Sequence, residues 1–351
     1  MIAAGRNGMV APDIHVLSAG SALPGPPIDN AALARRFGMD RLWEEWVDAF
    51  IGTRTRHLAV DLDSGEVRYS LADLAESAAR HALTAASVDP GEVDVIVLGT
   101  ATPDMLMPAT VNLVADRLGI DDVQSYQLQS GCAGAVQALD VGRRALATGE
   151  HRVALVMGGD VCAKHFDLGV DLAELEPSEL VNVVLFGDGA GAAVLTAEPA
   201  PGSAALRRVV NRLVGLDRAP GQVLEWFGPA DRPSGRVAVR EDYKAIETSV
   251  PTMAAEVLKE LLDDLGWQRG DIDHLLPPQL SGTMTARIVE VLRTPGAKEV
   301  TRVRETGNNG NAMPFLQLEQ ALADMVSGDR AIGIAVESSK WIKAGFALEK
   351  P

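Results

Sequence analysis

Apolar and polar residues fall into blocks along the chain, and the blocks recur. Residues 70–103, SLADLAESAARHALTAASVDPGEVDVIVLGTATP, read as an amphipathic helix, a glycine-containing turn and a buried strand. Residues 250–282, VPTMAAEVLKELLDDLGWQRGDIDHLLPPQLSG, repeat that order. The helical pattern of 107–120 returns at 283–296, the stretch 126–140 corresponds to 303–319, and the strand at 152–161 to 330–339. The chain thus reads as two copies of one helix–strand–helix–strand–helix–strand unit. Runs such as VDVIVLG, RVALVMG and AAVLTAE are nearly all apolar, as strands buried on both faces should be. The pattern predicts an α/β fold with mixed, mainly parallel sheets covered by helices. A Pro-, Gly- and Ala-rich stretch, 198–236, reads as the link, so residues 1–200 form the N-terminal half and 201–351 the C-terminal half.

Composition narrows the function classes. The 351 residues are 47% hydrophobic, enough for a large core, and carry a formal net charge of −16. Such a chain should repel nucleic acid and anionic membranes. Two cysteines cannot make a disulfide framework, and no Cys/His cluster has metal-ligand spacing, so no metal and no cofactor is expected. The opening MIAAGRNGMVAPDIHVLSAG has no long apolar run. The expectation is a cytoplasmic protein without signal peptide or membrane anchor.

Chemistry concentrates at one turn. In SGCAGAVQAL, Cys132 stands between glycines where an extended run becomes a helix predicted over 133–148. Unpaired N–H groups and the helix dipole there favour a thiolate, and the Cys132 N–H can serve as an oxyanion donor. Cys162, in GGDVCAKHF, fits a core cysteine instead. Aligning Gly131–Gly134 with Gly307–Gly310 sets Asn308 as the pseudo-symmetric mate of Cys132. In open α/β sheets ligands bind beyond the carboxyl ends of strands, so the two turns are expected to meet at the site.

SGCAGAVQAL, VMGGDVCAKHFD and LFGDGAGAAVL together resemble the ketoacyl-ACP synthase III family of the thiolase superfamily, and RTRHLA (54–59) and ATPDMLMPAT (101–110) fall where that family has similar segments. The resemblance implies a thiolase fold, five-layer αβαβα from two pseudo-symmetric halves, working as a homodimer. It implies transfer of an acyl group from a thioester onto Cys132. It also implies that Met107 reaches across the dimer to floor the partner's acyl pocket.

One position departs from the family. Condensing members carry a Cys-His-Asn set, and here the histidine's stretch reads LLPPQLSG, with Pro278 at the histidine position and Gln279 after it. Proline offers neither a donor nor a titratable group. His274 precedes the stretch and reads as a core or edge histidine. GNNGN keeps Asn308 at the asparagine position, and the family's glycine-rich oxyanion turn reads ESSKWIKAG, where Ser338 or Ser339 N–H is the second donor. An acyl-cysteine needs only a thiolate and an oxyanion hole. Decarboxylative condensation needs more, so the residues favour acyl transfer to an O, N or S acceptor, as in natural-product acyltransferases. Candidate bases for an acceptor hydroxyl are His165, His57 and the acceptor itself. Gln279 is a candidate donor to an acyl or acceptor carbonyl.

The donor is carried by acyl carrier protein or by CoA. Phe50 and Lys164 stand about where the resemblance would place phosphate-binding arginines, which favours a carrier protein. Arg287, Arg293, Lys298, Arg302 and Arg304 form a basic cluster suited to an acidic carrier, or alternatively a mixed-charge solvated face. Two other readings stand beside acyl transfer: a decarboxylative synthase using Gln279 and Asn308, and a non-catalytic ketosynthase partner, against which the intact Cys132 speaks. FGDGAGAA lacks a phosphate-loop pattern and is not read as a nucleotide site.

Overall fold

The computed structural model describes residues 13–165, 168–169, 171–172, 184–226 and 239–351. Ten strands form one twisted sheet in the order β12-β11-β13-β14-β8-β1-β7-β6-β4-β5. The first half supplies β1 (His15–Ala22), β4 (Val95–Gly99), β5 (Gln124–Leu128), β6 (Val153–Asp160) and β7 (Gly189–Thr196). The second supplies β8 (Ala204–Leu213), β11 (His274–Leu276), β12 (Lys298–Glu299), β13 (Arg330–Glu337) and β14 (Ile342–Glu349). Two short ribbons lie outside it, β2 (Ile28–Asp29) with β3 (Thr55–Arg56) and β9 (Gln222–Leu224) with β10 (Val239–Glu241).

The halves repeat one topology. Counted within each half, both run third, second, fourth, fifth, first from the outer edge. Both begin with two parallel ladders and end with two antiparallel ones. The expectation of mainly parallel sheets is corrected accordingly. The halves join where His15 and Val16 of β1 pair with Ala205 and Ala204 of β8. The stretch read as a link therefore contributes a central strand, β8, which buries Ala204, Ala205, Leu206, Val209 and Val210. The remainder of that stretch from 227 to 236 lies outside the described residues.

Helices cover both faces and fill the middle, which gives the five layers. Leu71–Ala86 and Thr110–Leu118 form one outer layer, and Tyr243–Leu265 with Gly282–Leu292 the other. Gly134–Ala147 and Met313–Asp324 lie between the two halves of the sheet and bury Val136, Leu139, Phe315 and Leu318 in one shared core. Close approach demands glycine there: a Cβ on Gly99 would stand 2.3 Å from the backbone of Gly134. Among the described residues no helix is long and apolar enough to cross a membrane.

Candidate active site

The two middle helices begin alike. Each follows a short 3₁₀ turn, Gly131–Ala133 in the first half and Gly310–Ala312 in the second. Gly131 and Gly310 both have positive φ, +49° and +53°, conformations that favour glycine. The pseudo-symmetric mate of Cys132 is therefore Asn311, and the alignment that paired it with Asn308 is corrected by three positions. The loop before Gly310 is longer than its counterpart, which the sequence repeat did not reveal.

The mates are held reciprocally. Asp160 ends β6 and its Oδ2 accepts the Asn311 N–H and Nδ2–H, both at 2.8 Å, across the half boundary. Its Oδ1 accepts from Thr100, Thr102 and the backbone of Ala101. Asn311 Oδ1 in turn accepts the Ala135 N–H at 2.9 Å, behind Cys132. Glu337 ends β13 and crosses the other way: its carboxylate accepts the N–H of Cys132 and, at 2.5 Å, the N–H of Ser339. The two predicted oxyanion donors thus meet on one carboxylate, Cys132 N–H at Oε2 and Ser339 N–H at Oε1.

Electrostatics at this point differ from the expectation of a ready thiolate. Burial pushes the Cys132 thiol well above its usual pKa, and the carboxylates of Glu337, Asp160 and Glu241 push it further. The dipole of a short 3₁₀ turn does not offset three nearby anions. Cys162 is half-buried, with its N–H given to Asp188 Oδ1 at 2.7 Å, and burial raises its thiol in the same way.

Two cavities meet at Cys132. One, of about 70 Å³, is lined by Cys132, Glu241, Pro278, Gln279 and Asn308. The other, of about 350 Å³, is lined by Cys132, Asp160, Cys162, His165, Glu337 and Ser339. Asn308 Oδ1 accepts the Gly310 N–H at 3.0 Å, and its Nδ2 has no partner among the described residues. Gln279 is committed elsewhere: its Oε1 accepts the N–H groups of Arg302 and Val303 at 2.6 and 2.7 Å, and its Nε2 donates to Val300 O. It braces the loop that leads to Asn308 instead of pointing a free amide at a substrate.

The histidines divide by place. Burial and Lys164 pull His165 down to about 4, so it is neutral but weakly basic. His57 Nδ1 lies against the carbonyls of Pro24 and Gly25, and His274 pairs with Asp329 at 3.0 Å in a buried strand; neither lines a cavity at Cys132. Lys164 gives its ammonium to the carbonyls of Thr102 and Pro103. Phe50 is exposed and stacks on Trp46. Of the basic cluster, Arg287 pairs with Glu247 and Lys298 with Asp324, while Arg293 and Arg304 are exposed without a carboxylate partner among the described residues.

Two residues escaped the sequence reading. Glu337 replaces a glycine-rich turn, and only its acidic type in that turn signals it. Glu241 sits on β10, beside the stretch taken as a link. Burial pushes its carboxyl up to about 7, against the hydrogen bond from Gln222, and the Glu337 charge adds to the rise.

The fold and the Cys-bearing turn define a thiolase-fold protein. Residues 126–211 match the 3-oxoacyl-[acyl-carrier-protein] synthase III family, 262–338 match its C-terminal region, and 51–165 match the thiolase N-terminal domain. The β-ketoacyl-[acyl-carrier-protein] synthase III of Neisseria meningitidis is 30% identical over 86% of this chain and 88% of its own. The structure of the synthase III of Pseudomonas aeruginosa superposes with a TM-score of 0.82 at 28% identity, covering 97% and 98% of the two chains. That of AbyA1, a tetronic acid condensing enzyme, superposes at 0.93 with 66% identity, covering 96% and 99%. The chain belongs to the 3-oxoacyl-[acyl-carrier-protein] synthase III family.

Proposed function

We propose that the chain takes an acyl group from a carrier-protein or CoA thioester onto Cys132 and passes it to a hydroxyl acceptor in a tetronic-acid-type condensation. The supporting observation is that Cys132, the paired N–H groups, Asn308 and Glu241 face connected cavities in which Pro278 replaces the imidazole. The 66% identity to AbyA1 over nearly the whole chain supports the same reading.

Ring chemistry explains why such a site can do without histidine. A tetronic acid is a five-membered lactone that contains a 1,3-dicarbonyl unit. Building it takes one C–O bond, from a hydroxyl attacking the acyl-cysteine, and one C–C bond, from an activated methylene attacking a second thioester. A methylene between two carbonyls is acidic enough to need no decarboxylation, so the imidazole that assists loss of CO2 is dispensable. Glu241 takes the acceptor's proton, since a carboxylate of pKa about 7 is well matched to neutral pH. Asn308 Nδ2 orients the acyl or acceptor carbonyl. His165 is too weakly basic for this step.

The donor is bound to a carrier protein, with Arg293 and Arg304 as exposed cations for an acidic partner and Arg287 beside them. The chain works as a homodimer along the edge strand β5, where Tyr126 is exposed, with Met105, Leu106 and Met107 exposed nearby.

The test supplies a 3-oxoacyl thioester and a 2-hydroxyacyl carrier-protein thioester to wild type and Cys132→Ala. A lactone product formed by wild type alone, without CO2, supports the proposal. Production of CO2 and a lengthened β-ketoacyl chain from a malonyl donor would instead make it a decarboxylative synthase.

A further inference from the structure

Glu337 occupies the place where a reacting carbonyl oxygen belongs. Its carboxylate holds both oxyanion donors, Cys132 N–H and Ser339 N–H, and is hydrogen-bonded to the Cys132 thiol as well. The residue is 1% exposed. A Cβ added at Gly131 would stand 1.9 Å from its Oε2, so the glycine is the opening that admits the carboxylate to the turn. Its pseudo-symmetric mate Asp160 is locked by donors from Thr100, Thr102, Ala101 and Asn311. Glu337 is held by the N–H groups of Cys132 and Ser339, the Ser339 hydroxyl and the Cys132 thiol, and it borders the larger cavity beside Asp160.

We propose that Glu337 is the base that activates Cys132, and that it vacates the oxyanion seat when it takes the proton. The proposal rests on the acyl-Cys132 reading. The thiol proton moves to Glu337, the Sγ–carbon bond forms, and the carbonyl π pair moves onto oxygen. A neutral carboxyl group holds backbone N–H groups far more weakly than a carboxylate does, so it yields them to the new alkoxide. The alkoxide then collapses, the bond to the donor sulfur breaks, and the departing thiolate recovers the proton from Glu337. Charge near the seat stays at one unit throughout, carried first by Glu337 and then by substrate.

The surroundings fit a base more than a structural anion. Facing it are Cys132 on the turn, Glu241 on β10, Asp160 on β6, and Cys162, His165 and Lys340 around the larger cavity. Lys340 turns its ammonium to the Arg218 carbonyl, so no cation among the described residues pairs with Glu337. Burial raises the Glu337 carboxyl above its usual range and keeps the thiol protonated at rest. A thiol that cannot ionise unaided needs a proton acceptor in contact with it.

The experiment measures single-turnover loading of a 3-oxoacyl N-acetylcysteamine thioester by intact-protein mass across pH, for wild type, Glu337→Gln and Glu337→Asp. Wild type should load at a rate that levels off once Glu337 is ionised. Glu337→Gln should load about 100-fold more slowly near neutral pH and gain about tenfold per pH unit, as unaided thiol ionisation dictates. Glu337→Asp should recover the level profile at a reduced rate. Equal rates and profiles for wild type and Glu337→Gln would overturn the proposal while leaving acyl-Cys132 standing. If Glu337→Gln does not fold, a wild-type rate that goes on climbing about tenfold per pH unit across the whole range without levelling off overturns it equally. Failure of wild type to load at all would sink the acyl-Cys132 reading itself.

Discussion

Asp160 and Glu337 end equivalent strands of the two halves, and each carboxylate crosses to the other half's turn. Asp160 holds the Asn311 N–H, and Glu337 holds the Cys132 N–H. Duplication has thus produced one geometry twice. Both carboxylates border the larger cavity. One is held by donors from Thr100, Ala101, Thr102 and Asn311, and the other lies at the nucleophile.

The satisfied copy should be a stability element. Asn311→Ala leaves the Asp160 carboxylate short of the Nδ2 donor and the Ala135 N–H short of its acceptor. A loss of about 2–4 kcal/mol in unfolding free energy is expected. Asn308→Ala, three residues away, removes one N–H acceptor and should cost about 1 kcal/mol. Its larger effect should be on turnover, about 10–100-fold in kcat. Denaturant unfolding and steady-state kinetics on both variants check the contrast. Comparable stability losses with unchanged kcat in Asn308→Ala would refute it.

Turnover should rise with pH through about 7, because Glu241 must be ionised to accept the acceptor's proton. Glu241→Gln should lower kcat by about 100-fold or more and abolish that limb. A pH–rate profile of both proteins decides; a limb that persists in Glu241→Gln belongs to another group.

The same carboxyl should mark stability with the opposite trend. Its folded pKa is raised, so the native state holds the proton more tightly than the unfolded chain does. The stability it contributes is full below about 4.5 and is lost as pH rises through about 7. Wild type should therefore lose about 1–3 kcal/mol relative to Glu241→Gln across that window. Thermal melts at several pH values test this, and parallel curves for the two proteins would contradict it.

Edge strand β5 should carry the self-association. Tyr126→Asp places charge on the exposed edge and should shift the protein to monomer in light scattering at micromolar concentration. An unchanged mass would move the interface elsewhere.

Much of this was legible in the chain. Helices such as Leu71–Ala86 and strands such as Val95–Gly99 announce themselves by period, and the repeat announces two halves. Cys132 between glycines marked the turn. What was not legible depended on distance in sequence: Glu337 meets Cys132 across 205 positions, and only folding brings them together. Glu241 lay hidden because a short ribbon beside a Pro- and Gly-rich stretch has no pattern of its own. Strand β8 was missed because its apolar residues come in short runs without alternation, with Pro and Gly before them. Gln279 misled because an amide reads the same whether it serves backbone or substrate.

The central claim is that Cys132 carries the acyl group. Intact-protein mass after incubation with acyl thioesters on CoA and on carrier protein tests it most directly, beside Cys132→Ala. The account predicts a gain equal to the acyl group in wild type and none in the variant. No gain with any donor, or an equal gain in Cys132→Ala, would contradict it and favour a non-catalytic ketosynthase partner.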